Sequence, residues 1–437
     1  MLNNRNEKYI TRIEGASDML REKCYGFACD LYGSELSPFV EERLSKELGI
    51  ISENQWNEIY LIGSELAQYS TDRGYCVTAR GNIGASFVAF LLGMTEISPL
   101  RTHYVCHKCH WIDPDYMEAA DFGGQERKLD SSVCPACGTG LRPEGVGIRP
   151  EMAWGIHFNK KPDIILNFAP EIVGDIIGFL KEKYGESNII GAGTKLICDD
   201  DGSVSYGTHP GGIFIVPEGV DVADLTDLKT CTRDDGVTLQ YSQRDYHEME
   251  KYLKKYDILS HDKLGLLKEE ETRTGIPISE IPMDDTWMGN VSKDQIIEFY
   301  EEQDRPIADI VSPGNFEDLV KIEGLSHADF FIHDAEGRRQ LIETCNKYGI
   351  TCRDDLLDEF LSAGLEIDEA YKIMLHVSRG KGFLPEMEER LWGKLDADYI
   401  KVLKEIRYLY PRSMTASYAM ITYRLLYYCF CNYPKTM

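Results

Sequence analysis

The stretch Lys161-Pro162-Asp163-Ile164-Ile165-Leu166-Asn167-Phe168 has the composition of a short buried β-strand. Branched and aromatic apolar residues follow one another directly after a proline, as they do at the start of many strands. Residues 171–184 then place apolar side chains at helical spacing, and residues 212–216 form another strand candidate. Strand, helix and strand in this order predict a mixed α/β domain in the middle of the chain.

The regions on either side of this domain have a mainly helical pattern. Residues 14–72 carry apolar side chains at helical spacing, and a strand candidate at 75–78 precedes an apolar helix at 87–92. The strand signal fades after Arg244, and residues 245–437 are predicted to be mainly helical, with turns at several prolines. The predicted architecture is a mixed α/β domain followed by a helical domain.

Composition indicates a soluble globular protein with an uneven charge distribution. Of the 437 residues, 43% are hydrophobic, yet no run of 18 apolar residues predicts a membrane helix. The polar segment 1–10 argues against a secretory signal, so a cytoplasmic location is expected. The net charge of −26 disfavours general binding to phosphate backbones, but residues 372–437 hold 11 basic and 6 acidic residues. The body therefore carries −31 and the C-terminal segment +5.

Four of the 13 cysteines form a metal-binding pattern. Cys106-His107-Lys108-Cys109 and Cys134-Pro135-Ala136-Cys137 are CxxC pairs with 24 residues between them. Four thiolates at such spacing are typical of a closed, structural Zn²⁺ site, with free thiols in a loop as the alternative. His103, His107 and His110 are interpreted as bystanders, because four sulfur atoms complete the coordination shell.

A glycine-rich turn, Arg80-Gly81-Asn82-Ile83-Gly84-Ala85-Ser86, joins the strand candidate at 75–78 to the apolar helix. Glycines at the beginning of a helix let backbone N–H groups approach a phosphate. The turn lacks the Gly-Lys-Ser/Thr ending of a P-loop. A phosphate site and an ordinary tight turn both remain open.

Several segments together resemble PolC-type DNA polymerase III, the bacterial C-family replicative polymerase alpha subunit. They follow one another in the family's order from about residue 13 to the C-terminus. The palm-like segments are 13–16, 40–44, 80–89, 103–138, 161–168, 207–213 and 256–261, and the fingers-like segments are 324–327, 352–355, 372–374 and 379–382. The interval 167–207 is short for a thumb, so the resemblance is to a reduced palm and fingers core.

The resemblance implies an α+β fold. Its first part would be a nucleotidyltransferase-like (polymerase beta-like) mixed-sheet palm with a zinc-binding insertion, and a mainly helical fingers domain would follow. The implied divisions are 1–100 for the helical part of the palm with the glycine-rich loop, 101–150 for the zinc-binding module, 151–262 for the palm with its metal-binding strand and strongly shortened thumb, and 263–437 for the fingers-like domain.

The resemblance also implies two-Mg²⁺ nucleotidyl transfer by three palm aspartates, two of them spaced as Asp-x-Asp on one strand. The matching residues are Asp163 and Asp245 as catalytic metal ligands, whereas Ile165 stands at the remaining position. An aliphatic side chain cannot bind Mg²⁺, which takes oxygen ligands, and Asn167 offers only a neutral amide oxygen. From the residues alone, Asp163 could simply begin a strand and Asp245 could be a solvated carboxylate.

Nine further residues correspond to nucleotide- or DNA-binding positions of the family: Arg80, Gly81, Gly84, Ser86, His209, Gly211, Gly212, Arg379 and Lys381. Asn82, Ala85 and Val204 depart from its pattern, since the first two replace serines and the last replaces a basic residue. The residues themselves leave open that His209 belongs to a turn and that Arg379 and Lys381 form an exposed basic loop. The tyrosines of 408–433 are interpreted as helical core rather than as a stacking platform for bases.

Two functions are therefore expected as alternatives. One is a DNA-directed DNA polymerase core for replication or repair, with primer-template DNA and deoxynucleoside triphosphates as substrates, Mg²⁺ as cofactor and replication proteins as partners. The other is a catalytically inactive paralogue that binds nucleotide, DNA or a replication partner.

Overall fold

The computed structural model describes residues 11–112, 133–197, 203–233, 236–283 and 285–431. The helices of the first part are α1 Ala16–Tyr32, α2 Pro38–Glu53, α3 Asn57–Thr71, α4 Phe87–Leu91, α5 Glu151–Trp154, α6 Pro170–Tyr184, α7 Tyr246–Met249 and α8 Asp262–Thr274. The later helices are α9 Lys293–Phe299, α10 Arg305–Val311, α11 Phe316–Ser326, α12 Ala335–Tyr348, α13 Arg353–Ser362, α14 Ile367–Val377, α15 Pro385–Leu391, α16 Ala397–Glu405 and α17 Arg412–Phe430.

The strands are β1 Thr78–Ala79, β2 His103–Val105, β3 Arg142–Glu144, β4 Ile164–Phe168, β5 Ile189–Ile197, β6 Val204–Ile215, β7 Leu228–Thr232, β8 Thr238–Asp245, β9 Lys255–Ser260, β10 Asp329–Phe330 and β11 Ile406–Tyr408. Seven of them form a mixed sheet in the order β1-β4-β9-β6-β5-β8-β7. Strand β4 runs parallel to β9, and β5 runs parallel to β8. The α+β class expected from the sequence is confirmed at this level.

The two faces of the sheet differ because neighbouring side chains on a strand point in opposite directions. Ile164, Leu166 and Phe168 of β4 are buried in the main core, where β4 packs against α3 and β9 packs against α6. The opposite face carries the alternate positions: Asp163, which directly precedes β4, and Ile165 and Asn167 of β4. That second face carries the candidate site.

A small second core places α7 above this face. Ile190 of β5 and Phe214 of β6 pack against Met249 and Leu253, which belong to α7 and the segment after it. The segment between β8 and β9 therefore crosses over the sheet, and Tyr246 at the start of α7 lies over the middle strands.

Apolar periodicity did not indicate strand β9, although the resemblance assigned residues 256–261 to the palm. Its residues Lys255, Asp257 and Ser260 are polar, so a charged residue alternates with an apolar one in a region that otherwise appears helical. Tyr256 and Ile258 face the core, whereas Lys255 and Asp257 face the site. The described residues after Arg244 are mainly helical, as predicted, with β9, β10 and β11 as exceptions. The pattern missed β9 because the polar half of its alternation faces the site.

Helix α17 packs the helical half of the chain against the sheet. Helix α17 packs against α8, α11, β1 and the glycine turn, and the Ser413 hydroxyl donates to the Gly81 carbonyl oxygen over 2.9 Å. Its buried Arg424 pairs with Glu96 at 2.7 Å. None of the helices in the described part of the chain combines the length and the apolar character that a membrane crossing requires.

Candidate functional site

The four cysteines of the CxxC pairs lie together at the end of the β2–β3 hairpin. Their sulfur atoms are all within 4.8 Å of one another, with 3.4 Å between the Sγ atoms of Cys106 and Cys137 and 3.5 Å between those of Cys109 and Cys134. Each pair forms a tight turn, because the amides of His110 and Gly138 donate to the carbonyl oxygens of Cys106 and Cys134. Four converging thiols suit a tetrahedral metal ion, so this group could hold one.

The nearby histidines have other partners. His103 Nδ1 lies 2.7 Å from the Arg101 carbonyl oxygen, and His110 Nδ1 lies 3.1 Å from that of Leu31. Within the described part of the chain, neither histidine belongs to the metal-binding group. The bystander role of the three histidines stays a prediction.

Asp163 lies at the edge of the sheet, directly before β4. Its carboxylate is half exposed, at 49%, and two lysines approach it. Lys160 Nζ lies 3.6 Å from Oδ2, and Lys254 Nζ lies 3.7 Å from Oδ1. Lys254 is buried, which lowers its pKa, while the charges of Asp163 and Glu250 act in the opposite direction.

Ile165 pairs in parallel register with Asp257 of β9. Asp257 is buried, and Lys255 Nζ donates to its Oδ2 over 2.5 Å while His209 Nε2 lies 3.4 Å from Oδ1. Burial acts to raise the pKa of Asp257, but His209 and Lys255 outweigh it and hold the pKa below its usual value. Asp257 is thus the carboxylate beside the isoleucine, and the sequence interpretation gave it no role.

Asp245 ends β8 and begins α7. Its Oδ1 accepts from the backbone N–H of His247 at 3.0 Å and lies 2.8 Å from His247 Nδ1, while Oδ2 accepts from the Lys195 N–H at 3.0 Å. Burial acts to raise the pKa of Asp245, but these hydrogen bonds prevail and lower it. Both of its oxygens have donors from the protein, and the residue caps a helix.

The ring of Tyr246 contacts the residues around these carboxylates. It stacks on His209 with ring centroids 4.3 Å apart, and Lys255 Nζ lies 4.9 Å from its centroid. Burial raises the pKa of Tyr246, and Asp245, Asp257 and Asp163 add to this effect. Asp163 and Asp245, the two aspartates predicted from the sequence, therefore both influence the pKa of one tyrosine, although β9, β6 and β5 separate β4 from β8 in the sheet.

These residues do not suit a pair of Mg²⁺ ions. Among the described residues, the four cysteines are the only group of three or more candidate ligands whose donor atoms converge within 4.8 Å. Mg²⁺ requires near-octahedral oxygen coordination, and Ile165 offers no oxygen. Asp163 and Asp257 have lysine ammonium groups as counter-ions, and Asp245 has backbone donors.

The glycine turn is a 3₁₀ helix at Gly81–Ala85. Arg80 is exposed, and its N–H donates to the Ile165 carbonyl oxygen, so the turn lies beside the isoleucine. Gly81 has a φ of +79°, and a Cβ at Gly84 would lie 3.0 Å from Ser413 Cβ. The glycines permit close packing under the last helix.

Ser86 is buried beneath the turn. Its hydroxyl donates to Glu47 Oε2 at 2.8 Å and accepts from the Ala89 N–H at 3.1 Å, which caps α4. Glu47 is itself buried and paired with Arg43 at 2.5 Å. These contacts give Ser86 a structural role, since its hydroxyl points into the protein.

The His-Pro-Gly-Gly segment lies within β6 and not in a turn. Gly211 has a φ of +72°, and a Cβ there would lie 2.6 Å from the Ile258 carbonyl oxygen. A Cβ on Gly212 would lie 2.5 Å from His209 Cδ2. The glycines let β6 approach β9 closely and let His209 lie over Asp257.

Comparisons with known proteins show which proteins this chain is similar to. A family described as "Bacterial DNA polymerase III alpha NTPase domain" matches residues 18–199. The chain is 32% identical to the PolC-type DNA polymerase III of Bacillus subtilis (strain 168), over 97% of the chain and 33% of that protein. The corresponding protein of Staphylococcus aureus (strain MW2) is 31% identical over the same shares. The chain is a PolC-like relative of bacterial DNA polymerase III. It spans about a third of the length of the curated relatives that it matches.

In this PolC-like chain a row of aromatic rings runs from the sheet to the helical half. Successive centroids lie 5.2 to 5.4 Å apart, and all these rings are at least partly exposed. We call this row the ring path; its members are His261, Tyr418, His327, Tyr410 and Tyr408. The helical-core interpretation fits Tyr423 and Tyr428, which are buried, and Tyr418, which is partly buried and packs against the main core, whereas Tyr408 is exposed.

Basic residues lie at both ends of the ring path. Burial is the main cause that lowers the pKa of His261 to about 4, and the charges of Lys263 and Arg80 add to this effect. At the other end, Arg379 and Lys381 are exposed in a loop that packs against β11, where the Leu409 N–H donates to the Ser378 carbonyl oxygen. The ring path thus lies between two candidate binding segments that are distant in the sequence: the glycine turn with Arg80, and the loop with Arg379 and Lys381. Spacing along the chain gave no signal for His261 or His327.

Proposed function

We propose that this chain is a PolC-like palm-and-fingers module that binds nucleotide or single-stranded DNA and is impaired in nucleotidyl transfer. One observation carries the proposal: Ile165 occupies the strand position beside Asp257, while the nearby carboxylates are neutralised by lysines or bound by backbone amides. A divalent ion at this face would find too few oxygen ligands. Loss of one metal ligand removes several kcal/mol of transition-state stabilisation, at about 1.4 kcal/mol per tenfold in rate.

The binding half of the proposal rests on the ring path and its basic ends. Aromatic rings stack on bases of any sequence, and flanking Arg and Lys side chains attract the phosphate backbone. The five rings of the path, mutually tilted or edge-on with centroids 5.2 to 5.4 Å apart, lie between Arg80 and the loop of Arg379 and Lys381. This local surface would offset the net charge of −26. The relatives are named as DNA polymerases, which supports the same ligand class.

The finer architecture is part of the proposal. The seven-stranded mixed sheet supports a nucleotidyltransferase-like palm, and the divisions 1–100, 101–150, 151–262 and 263–437 are proposed as its parts. The four cysteines would hold one structural Zn²⁺ that closes the hairpin of residues 103–144. Because four thiolates fill the coordination shell, this ion would carry no reaction.

The test of impaired transfer is primer extension with Mg²⁺ and with Mn²⁺. It would use the natural chain, Ile165→Asp, and Ile165→Leu as a control that restores no oxygen. We expect no extension by the natural chain or by Ile165→Leu. Extension by the natural chain would contradict the proposal and favour the second candidate, an active minimal polymerase, which the retained Asp163 and Asp245 support.

The test of binding is fluorescence anisotropy with a labelled oligothymidylate at several salt concentrations. Arg379→Ala combined with Lys381→Ala should weaken binding and reduce the salt dependence, by a slope of about 0.7 for each phosphate that the variant no longer neutralises. Lys401→Ala is the matched control, because Lys401 is an exposed lysine of the same basic segment and pairs with Asp398. No binding by the natural chain, or equal losses in all variants, would refute the binding role.

A further inference from the structure

Lys254 is a buried lysine beside the site. Its side chain is 4% exposed, and its ammonium group donates to the Pro162 carbonyl oxygen over 2.6 Å and lies 3.7 Å from Asp163 Oδ1. The sheet fixes this position, because β4 and β9 pair in parallel with Ile164 opposite Tyr256. Continuing this register two residues back, to positions just before the two strands, brings Lys254 to Pro162.

Lys160 approaches the same carboxylate from solvent. Its ammonium group lies 3.6 Å from Asp163 Oδ2, which is nearly the distance of Lys254, but its side chain is 40% exposed. Water and salt screen an exposed pair far more than a buried one, so exposed pairs contribute little. The two lysines therefore form a natural comparison in which distance is constant and burial differs.

We infer that Lys254 is an internal cation that takes the place of a metal ion at Asp163. A buried charge needs a counter-charge, and Asp163 lies closest to this ammonium group. Glu250 and Asp257 add negative charge around Lys254, and Lys255 adds positive charge. A divalent ion bound by Asp163 would meet a fixed positive charge that cannot move into water.

This inference goes beyond the effect of Ile165. The isoleucine removes one ligand, whereas Lys254 disfavours any cation at the carboxylate that remains. Restoring the missing aspartate would therefore not suffice to restore metal binding. The inference is independent of whether the chain binds DNA, so its failure and that of the proposed function are distinguishable.

The first test measures Mn²⁺ binding by electron paramagnetic resonance on the full, zinc-loaded chain. The variants are Ile165→Asp alone, Ile165→Asp with Lys254→Met, and Ile165→Asp with Lys160→Met. Methionine keeps the length and apolar character of the lysine stem. We expect the combination with Lys254→Met to bind Mn²⁺ at least about tenfold more tightly than Ile165→Asp alone, a difference near 1.4 kcal/mol.

The comparison with Lys160→Met decides the interpretation. The combination of Ile165→Asp with Lys160→Met should bind Mn²⁺ within about twofold of Ile165→Asp alone, because the exposed ammonium group is screened. Equal Mn²⁺ affinity of Ile165→Asp with and without Lys254→Met would overturn the inference. Equal gains from both lysine changes would overturn it as well, since burial would then be irrelevant.

A second measurement needs no metal. Asp163→Asn should lower the melting temperature of the natural chain, because Lys254 would keep a buried charge without its counter-ion. In a Lys254→Met background, Asp163→Asn should lower the melting temperature clearly less. The hydrogen bond from Lys254 to Pro162 is lost in both members of that background, so its loss cancels in the double-mutant cycle. A similar loss in both backgrounds would show that the two groups are not coupled. Lys160→Met serves as the control background and should leave the cost of Asp163→Asn unchanged.

Discussion

Ser86→Ala should destabilise the chain substantially, because one hydroxyl satisfies two buried partners. Ser86 accepts from the Ala89 N–H as the N-cap of α4 and donates to Glu47 Oε2. Loss of an N-cap costs about 1 kcal/mol. Removing a hydrogen bond to a buried carboxylate costs about 1 to 3 kcal/mol more. The expected loss in free energy of unfolding is therefore about 2 to 4 kcal/mol.

Part of the network would survive the substitution and limits this loss. Glu47 would keep Arg43 at 2.5 Å and the Val88 N–H at 3.0 Å, so its charge would remain paired. Tyr60 would lose a long hydrogen bond of 3.4 Å to the Ser86 hydroxyl. The protein should stay folded at moderate temperature while its urea midpoint falls.

The assay is urea unfolding followed by tryptophan fluorescence, with the midpoints of variant and natural chain compared under identical zinc saturation. Ser45→Ala is the matched control, because Ser45 is an exposed serine on α2 whose hydroxyl contacts only the Glu42 carbonyl oxygen among its described hydrogen bonds. We expect a change within about 0.5 kcal/mol for the control. If Ser86→Ala left the midpoint unchanged but weakened oligonucleotide or nucleotide binding, the hydroxyl would serve a ligand and the structural role would be refuted.

Three further predictions concern the metal, the pH and the strand packing. Cys134→Ser should abolish retention of a single equivalent of zinc, measured by metal analysis after dialysis, and full retention would contradict a four-sulfur site. Burial raises the pKa of Asp354 to about 7. The folded state therefore binds this proton more tightly than the unfolded chain, and stability present below about pH 4 is lost as the pH rises towards 7. Between pH 5 and pH 8, the free energy of unfolding from urea midpoints should therefore fall by about 2 to 4 kcal/mol less in Asp354→Asn than in the natural chain. An unchanged pH dependence in the variant would exclude Asp354 as its source. Gly212→Ala should cost about 1 to 3 kcal/mol in thermal unfolding, because its Cβ would lie 2.5 Å from His209 Cδ2 and 2.9 Å from Ala192 Cβ; a neutral effect would mean that β6 can move away.

Local patterns predicted the elements that depend on local chemistry. The strand at β4, the helix at α6 and the grouping of the four cysteines follow from apolar spacing, a preceding proline and thiol spacing. These features need only neighbours along the chain. The three N-terminal helices, predicted as one helical region at 14–72, belong to the same class.

The contacts that define the site could not be predicted in this way. Lys254 meets Pro162 only because β9 pairs with β4, and nothing in the alternation of β9 distinguishes it from a solvated segment. Tyr246 reaches His209 only because α7 crosses the sheet. The sequence therefore identified Asp163 and Asp245 as residues of interest, but their charged partners come from tertiary structure.

The hydrogen bond from Ser413 to Gly81 has a consequence for biosynthesis. It joins residues 332 positions apart, at the base of the glycine turn. A ribosome adds roughly 5 to 20 residues per second, so the turn would wait on the order of tens of seconds for α17 to emerge. During that interval the apolar underside of the turn lacks the cover that α17 provides in the folded chain.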